Sequence, residues 1–535
     1  MSTGSATADA VPGAVPQKTT AYAWLVLFML AFIYIFNFLD RQLMSTVIES
    51  IKKDTGFTDA QMGLMTGFYF AIVYTTMGVI VGFLADRTSR RNILFVGAVL
   101  WSGFTALCGM AHNYPTMLAA RVGVGVGEAA GAPPSYSIIS DYFPAEKRGI
   151  ALALFSMGVP LGQSAAIAFG AQIDIHWGWR NAFIGIGIAG VIASIIMLLI
   201  VREPKRGAMD PAHVAAVAHE KSSFGATFWQ FISRPVLLWT ALGCGLSAFV
   251  GYAALNWNAP FLLRVQGMTR EELSVWYALM ILISIGTGTL MSGAIVDWMS
   301  KRSRVWYALT PLIAMAAAAP FWYWYTQTTT WQMALLVVAF PTFLNIFYLA
   351  PALALVNNSV KPSQRTMSSA ILLMVLNFIG LGGGPTMVGT LSTDFSKKLV
   401  EGGLEAGPAA AQGLREALMW VTPFFAVAVL FLVLQTLAIG REVKEGKSVR
   451  DGGFRVGIIL LLVGAAGLYL RYQASGFPGA IINTELLGTF GGASLETMIG
   501  IVMDVVVGIA CAVFTLGGLW LVVTGLMRKK EPAAA

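Results

Sequence analysis

Long apolar blocks separated by short polar segments run the length of the chain. Stretches such as 22–38, 183–201, 422–439 and 456–470 contain no charged residue. About 20 residues of α-helix cross a bilayer core of about 30 Å, because each residue rises ~1.5 Å. Inside lipid the backbone must bond to itself, so these blocks predict helices. The ~10-residue alternation of a β-barrel is not present. The pattern predicts about fourteen spans: 22–49, 60–85, 92–112, 115–141, 149–173, 182–201, 236–263, 274–297, 305–326, 331–356, 366–391, 416–440, 455–473 and 498–527. The chain then divides into a disordered tail (1–20), a first six-helix bundle (21–201), a linker (202–234) and a second six-helix bundle (235–440). A basic linker (441–454), two additional transmembrane helices (455–527) and a second tail (528–535) complete it. The fold class is an all-α membrane protein.

Composition narrows this picture. Of 535 residues, 56% are hydrophobic and 12% charged, whereas a soluble domain carries about 25% charged residues. The net charge of +8 does not point to nucleic acid, because the cations sit at span ends. With a cytoplasmic N-terminus they collect on the inside, among them Arg87, Arg90, Arg91, Lys147, Arg148, Lys205, Arg206, Lys301, Arg302 and Arg304. That positive-inside bias favours both termini in the cytoplasm, and the expected location is a bacterial-type inner membrane. Residues 1–20 lack the apolar core of a cleaved signal. Cys108, Cys244 and Cys511 lie in apolar spans without metal spacing, and His213 and His219 are too far apart to share a helix face. No metal and no cofactor are expected.

An internal echo supports two related halves. Gly82-x-x-x-Asp86-Arg87-x-x-Arg90-Arg91 follows span two, and Gly293-x-x-x-Asp297-Trp298-x-x-Lys301-Arg302 follows span eight. A second echo pairs Pro144-Ala145-Glu146-Lys147-Arg148 with Pro362-Ser363-Gln364-Arg365. Duplicated halves with a binding site between them near the midplane are a transporter architecture.

At these residues the chain resembles the major facilitator superfamily. The first echo matches that family's inter-helix signature, with Ser89 in place of its internal glycine. Arg121-x-x-x-Gly125-x-Gly127-Glu128 is similar to its proton-linked Arg-Gly pattern, and Gly158-Val159-Pro160-Leu161-Gly162 to the glycine-proline element of antiporters. Within the family, Asn37-Phe38-Leu39-Asp40-Arg41, 121–129 and 137–144 resemble the spinster-like group. The resemblance implies two pseudo-symmetric bundles, proton coupling, and kinship with members that export or salvage sphingosine-1-phosphate and lysophospholipids. It covers the first twelve spans and leaves the last two unexplained.

Charges inside a membrane cost about 2.5–3.5 kcal/mol each on insertion scales, so they default to functional candidates. Here they are Asp40, Arg41, Arg121 and Glu128. Their depths allow Asp40 to pair with Arg121, while Glu128 lies two turns deeper on nearly the same helix face as Arg121. Asp40 and Glu128 are the expected proton-binding carboxylates; a fixed ion-pair network is the alternative. The resemblance implies a conformational latch in Gly82, Asp86, Arg87, Arg90 and Arg91, echoed by Gly293, Asp297, Lys301 and Arg302. In it, Asp86 docks on a helix N-terminus near Thr366, while the three arginines alone read as a solvated basic loop.

Gln163, Tyr252, Asn256, Trp257, Asn345, Tyr348 and Asn377 are candidate solute contacts. Arg41 and Arg121 are the candidates for an ionic group, because the second half shows no buried charge apart from Asp297. Gly382-Gly383-Gly384-Pro385 lacks the Lys-Ser/Thr of a phosphate loop. The expected activity is proton-coupled secondary transport of a small amphipathic or anionic solute, a lysolipid or sphingoid lipid being one candidate. Rival readings are a symporter for a soluble organic acid or sugar, and a non-transporting sensor. No nucleophile and base share membrane depth, so an enzyme is not expected. The expected partners are the solute, protons and the lipid bilayer, with the chain a monomer and no nucleic acid.

Overall fold

The computed structural model describes residues 19–85, 87–209, 224–361 and 364–445. Among them, ten helices are long and apolar enough to cross a membrane. Two more complete twelve crossings. In the first bundle these are α1 (Ala21–Thr46), α2 (Asp59–Ala85), α3 (Arg90–Gly109), α4 (Tyr114–Glu128 and Ala132–Tyr142), α5 (Glu146–Trp177) and α6 (Trp179–Ile200). In the second they are α7 (Pro235–Arg264), α8 (Arg270–Ser300), α9 (Trp306–Gln327), α10 (Trp331–Ser359), α11 (Met367–Glu401) and α12 (Ala406–Glu442). α4 is interrupted just before Pro133-Pro134, where proline cannot supply helical amide donors.

Local chemistry sets the ends. Thr58 and Gln61 form a reciprocal capping box that opens α2, and the Ser89 hydroxyl accepts from Asn92 N–H to open α3. A short helix, Ile48–Thr55, stops on Gly56 at φ 74°, a conformation glycine adopts without Cβ strain. Two helices change pitch: Leu273–Tyr277 in α8 and Asn377–Gly383 in α11 are π-helical. The glycine cluster of α11 therefore lies in and beside a π-turn against α7, where an added Cβ at Gly380 would press on Ala248.

Three boundaries differ from the sequence reading. The linker 202–234 ends in a helix, Phe224–Ser233, whose Phe231 and Thr227 are buried, so that part packs with the second bundle. α11 runs through Lys397, Lys398 and Glu401 to Gly402, and α12 begins at Ala406. Hydrophobicity fell off there while the helix continued, because its charged last turns stand beyond the apolar slab. The spans expected at 455–473 and 498–527, the helix start at Asp210-Pro211, and Asp86 lie outside the described residues.

The two bundles meet through α1 with α7, α2 with α11, and α5 with α8. The α2–α11 crossing is tight: a Cβ added to Gly63 would sit 2.5 Å from the Pro385 carbonyl oxygen, and one on Gly389 would press against the Asp59 carbonyl oxygen. At the end carrying Arg87 and Lys301, the basic end, an added Cβ at Gly82 or Gly293 would meet nothing within 4 Å.

Candidate functional site

α1 and α4 bring the four intramembrane charges together. Arg41 Nη2 and Nε donate to Glu128 Oε2 at 2.6 and 2.9 Å. The guanidinium also lies over the rings of Tyr74, Phe38 and Phe70, at 4.7, 5.1 and 5.2 Å, an arrangement that favours a cation. Asp40 is 0% exposed and neither carboxylate oxygen has a hydrogen-bond partner. Arg121 is 1% exposed, faces the Phe70 ring at 5.2 Å, and its Nε and Nη1 have no acceptor. The ion pair is thus Arg41–Glu128, and Asp40 and Arg121 form no ion pair with each other. Side-chain direction explains this. Arg41 follows Asp40 by about 100° of helix rotation, which turns it toward α4 and α2, while Asp40 faces α3 near Thr105 and Cys108.

A cavity of about 390 Å³ lies between the bundles. Of the expected solute contacts, Gln163, Tyr252, Asn345 and Tyr348 line it. The others do not. Asn256 accepts from the Ser45 hydroxyl at 2.9 Å, across the bundle interface. The Trp257 indole N–H donates to Pro385 O at 2.9 Å and the side chain is fully buried. Asn377 starts the π-turn of α11. Neither Arg41 nor Arg121 lines the cavity, Arg121 being sealed behind Phe70.

Beyond the cavity, at the end opposite the basic one, the sequence reading overlooked a network. Arg264 at the end of α7 reaches Glu49 Oε1 at 2.6 Å and Asp59 Oδ2 at 2.6 Å. Asp59 also accepts from Lys52 and, at 2.6 Å, from the Ser392 hydroxyl of α11. Nearby, Ala60 N–H donates to Thr393 Oγ1 at 2.8 Å and Gln42 to Leu255 O at 3.2 Å. On the α5–α8 side, Gln172 donates to Ser274 at 2.7 Å and Arg270 approaches Asp174 at 3.5 Å. The second half therefore does hold a nearly buried charge, Arg264, whereas Asp297, expected to be buried, is exposed. Arg264 was missed because a charge closing an apolar block looks like a solvated anchor. The one available signal was that Asp59 and Arg264 both stand at the same membrane boundary with opposite sign.

At the basic end, Arg90 is not part of a solvated loop. It is buried, pairs with Asp141, and its Nε donates to Glu203 Oε1 at 2.8 Å. Burial opposes ionisation of Glu203, but donation from the Arg91 backbone, Arg90 and Ser89 outweighs it and holds the carboxyl below its usual range. Arg87 folds over the Phe83 ring at 3.4 Å and Arg302 over Trp298 at 4.2 Å. Asp297 and Lys301 are exposed.

Comparison with known proteins places this geometry. A family model described as the Major Facilitator Superfamily matches residues 30–385. An MFS-type efflux pump of Mycolicibacterium smegmatis is 28% identical over 382 residues, 70% of this chain and 86% of that one. Protein spinster homolog 1 of Xenopus laevis is 24% identical, over 70% of this chain and 73% of its own length. A solved bacterial homolog of the human lysosomal transporter Spinster, inward-facing and unoccupied, superposes with a TM-score of 0.72 at 29% identity. It covers 79% of this chain and 99% of that one.

Proposed function

The chain belongs to the Major Facilitator Superfamily, as a spinster-like transporter and not an enzyme, and from that premise we propose that it couples proton movement to transport of a small amphipathic solute. The observation that carries the reading is the Arg41–Glu128 ion pair beside the unpartnered, fully buried Asp40. A proton arriving at Glu128 removes the charge that holds Arg41 and frees the guanidinium to move. Asp40, with no donor to either oxygen, is a second place where a proton cancels a buried charge. Arg121, within electrostatic reach of both carboxylates, keeps them from being neutral together with no cost.

The solute occupies the cavity between the bundles, whose walls mix aliphatic and aromatic side chains with amide and phenol groups, a lining suited to an amphipathic molecule. Alternating access then requires the bundles to rock, closing the basic end and opening the Arg264 end. The cross-bundle bonds of Arg264, Ser392 and Thr393 at the opposite end fit a conformation open at the basic end. With both termini cytoplasmic and the chain in an inner membrane, that is the inward-facing state. The latch reading stays with Asp86, which would dock on α11 once the basic end closes.

The test is proton flux in dye-loaded proteoliposomes on adding lysophospholipids, sphingoid bases, organic acids or sugars. A response to amphiphiles that is absent in Glu128→Gln supports the proposal. Flux only with soluble acids or sugars discards the amphipathic solute, and an undiminished Glu128→Gln discards the coupling residue.

A further inference from the structure

The cavity has a chemical character that the intramembrane charges do not share. Among the described residues lining it there is no Asp, Glu, Lys, Arg or His. The nearest cation on α1, Arg41, is already committed to Glu128. Three amides line this charge-free space, and two of them, Gln163 of α5 and Asn258 of α7, come one from each bundle. Both are more than nine-tenths buried, at 5% and 1% exposed. Gln163 Oε1 and Asn258 Oδ1 are shut into the walls without a donor, which leaves the amide nitrogens as the cavity-facing ends. The Gln163 nitrogen donates no hydrogen bond to the protein, and the Asn258 amide has only the Tyr277 phenol beside it. By contrast Asn345, in the same cavity, spends its amide nitrogen on Ser247 O at 2.9 Å. The phenols of Tyr34, Tyr136, Tyr252 and Tyr348 add further donors to the lining.

Resting on the transporter reading, we propose that Gln163 and Asn258 are specificity-determining residues that read acceptor oxygens on an uncharged part of the solute. A charged group placed here loses its hydration and finds no unpaired opposite charge, which disfavours both carboxylate and ammonium. Arg41, bordering the wall at Phe38 and Tyr252, is held by Glu128. An ester, amide or ether oxygen loses little hydration and satisfies an amide N–H that is otherwise unpaired. A solute with two such oxygens bonds to both bundles at once, so the same contacts that select it also tie the halves together. The ligand class is a neutral amphiphile with carbonyl, ether or hydroxyl oxygens near one end of an apolar chain.

The experiment uses the full chain in lipid nanodiscs without any gradient, and measures binding of three probes sharing one chain: monodecanoylglycerol, decanoate and decyltrimethylammonium. The neutral ester is expected to bind at least about tenfold tighter than either ion, and Gln163→Leu or Asn258→Leu each to lose about tenfold for the ester. Gln163→Asn and Asn258→Gln, which keep the amide, should retain part of that affinity. Unfolding temperature and helix content report whether each variant is folded. Equal or tighter binding of decanoate or the ammonium probe overturns the proposal. So does undiminished ester binding in both folded leucine variants, or no ester binding by the parent chain. Because no gradient is used, a protein that shows this preference yet moves nothing in proteoliposomes contradicts the transport reading alone.

Discussion

At one end of the bundle pair, Arg264 crosses from α7 to Glu49 and Asp59, and Ser392 adds a bond from α11. At the basic end a Cβ added to Gly82 or Gly293, the glycines of the repeated motif, would meet nothing within 4 Å. The inter-bundle bonds among described residues cluster at the first end. Yet the basic end carries the more conspicuous sequence signal, since its motif occurs twice. The difference teaches that a motif can serve a contact made in another conformation, while the contact made in this one is assembled from residues without a motif. The buried charges at the closed end are also strong only as a set. Removing Arg264 leaves the buried Asp59 with only Lys52 and Ser392, and the part-exposed Glu49 without its arginine.

The largest way to break this contrast is Arg264→Ala. Leaving Asp59 without its main partner should cost the closed end about 3 kcal/mol, on the order of 100-fold in the ratio of conformers. Spin labels at positions 55 and 404 should report a longer distance, and labels at 88 and 301 a shorter one. Glu128→Gln should come next. Solute accumulation driven by a pH gradient should fall at least about tenfold while solute exchange without a gradient persists, because the variant keeps the cavity and loses the titrating group.

Gly389→Ala sharpens the comparison sterically. Its Cβ would press against the Asp59 backbone and the Trp257 ring, so the 55–404 distance distribution should broaden outward by about tenfold in population. Asp86→Asn acts at the other end and more weakly. A carboxylate on a helix N-terminus contributes about 0.3–1 kcal/mol, so the outward-facing population should fall about two- to five-fold in the same labelled pairs.

The smallest effect concerns Glu203. Its carboxyl is held below the usual range in the folded protein, so its contribution is present above the unfolded value of about 4.3 and disappears as pH falls through the folded value. The melting temperature of the parent chain should therefore drop more steeply below about pH 5 than that of Glu203→Gln. Parallel curves would remove Glu203 from the clamp around Arg90.

The crossings were legible because each needs an uninterrupted apolar block, and such blocks stand out in a chain with 12% charge. Where polar residues sit within a helix that outruns the apolar slab, as at Lys397 and Glu401, the block no longer marks the end. The candidate charges were legible for the same reason, but their pairing was not. Spacing gives depth along a helix, whereas the partner of Arg41 depends on how α1 and α4 are rotated against each other. The rotation of α7 about its own axis likewise separates Tyr252, which faces the cavity, from Asn256 and Trp257, which face the other helices. Arg90 shows the remaining gap: its burial by Asp141 and Glu203 comes from three segments distant in sequence.

The most direct test of the account compares the parent chain with Glu128→Gln in proteoliposomes holding an amphipathic solute and an imposed pH gradient. The parent should accumulate solute against its own gradient with measurable proton flux. The variant should equilibrate solute without accumulating it and without moving protons. Proton-driven accumulation undiminished by Glu128→Gln would contradict the account, because the Arg41–Glu128 pair would then be a fixed strut between α1 and α4.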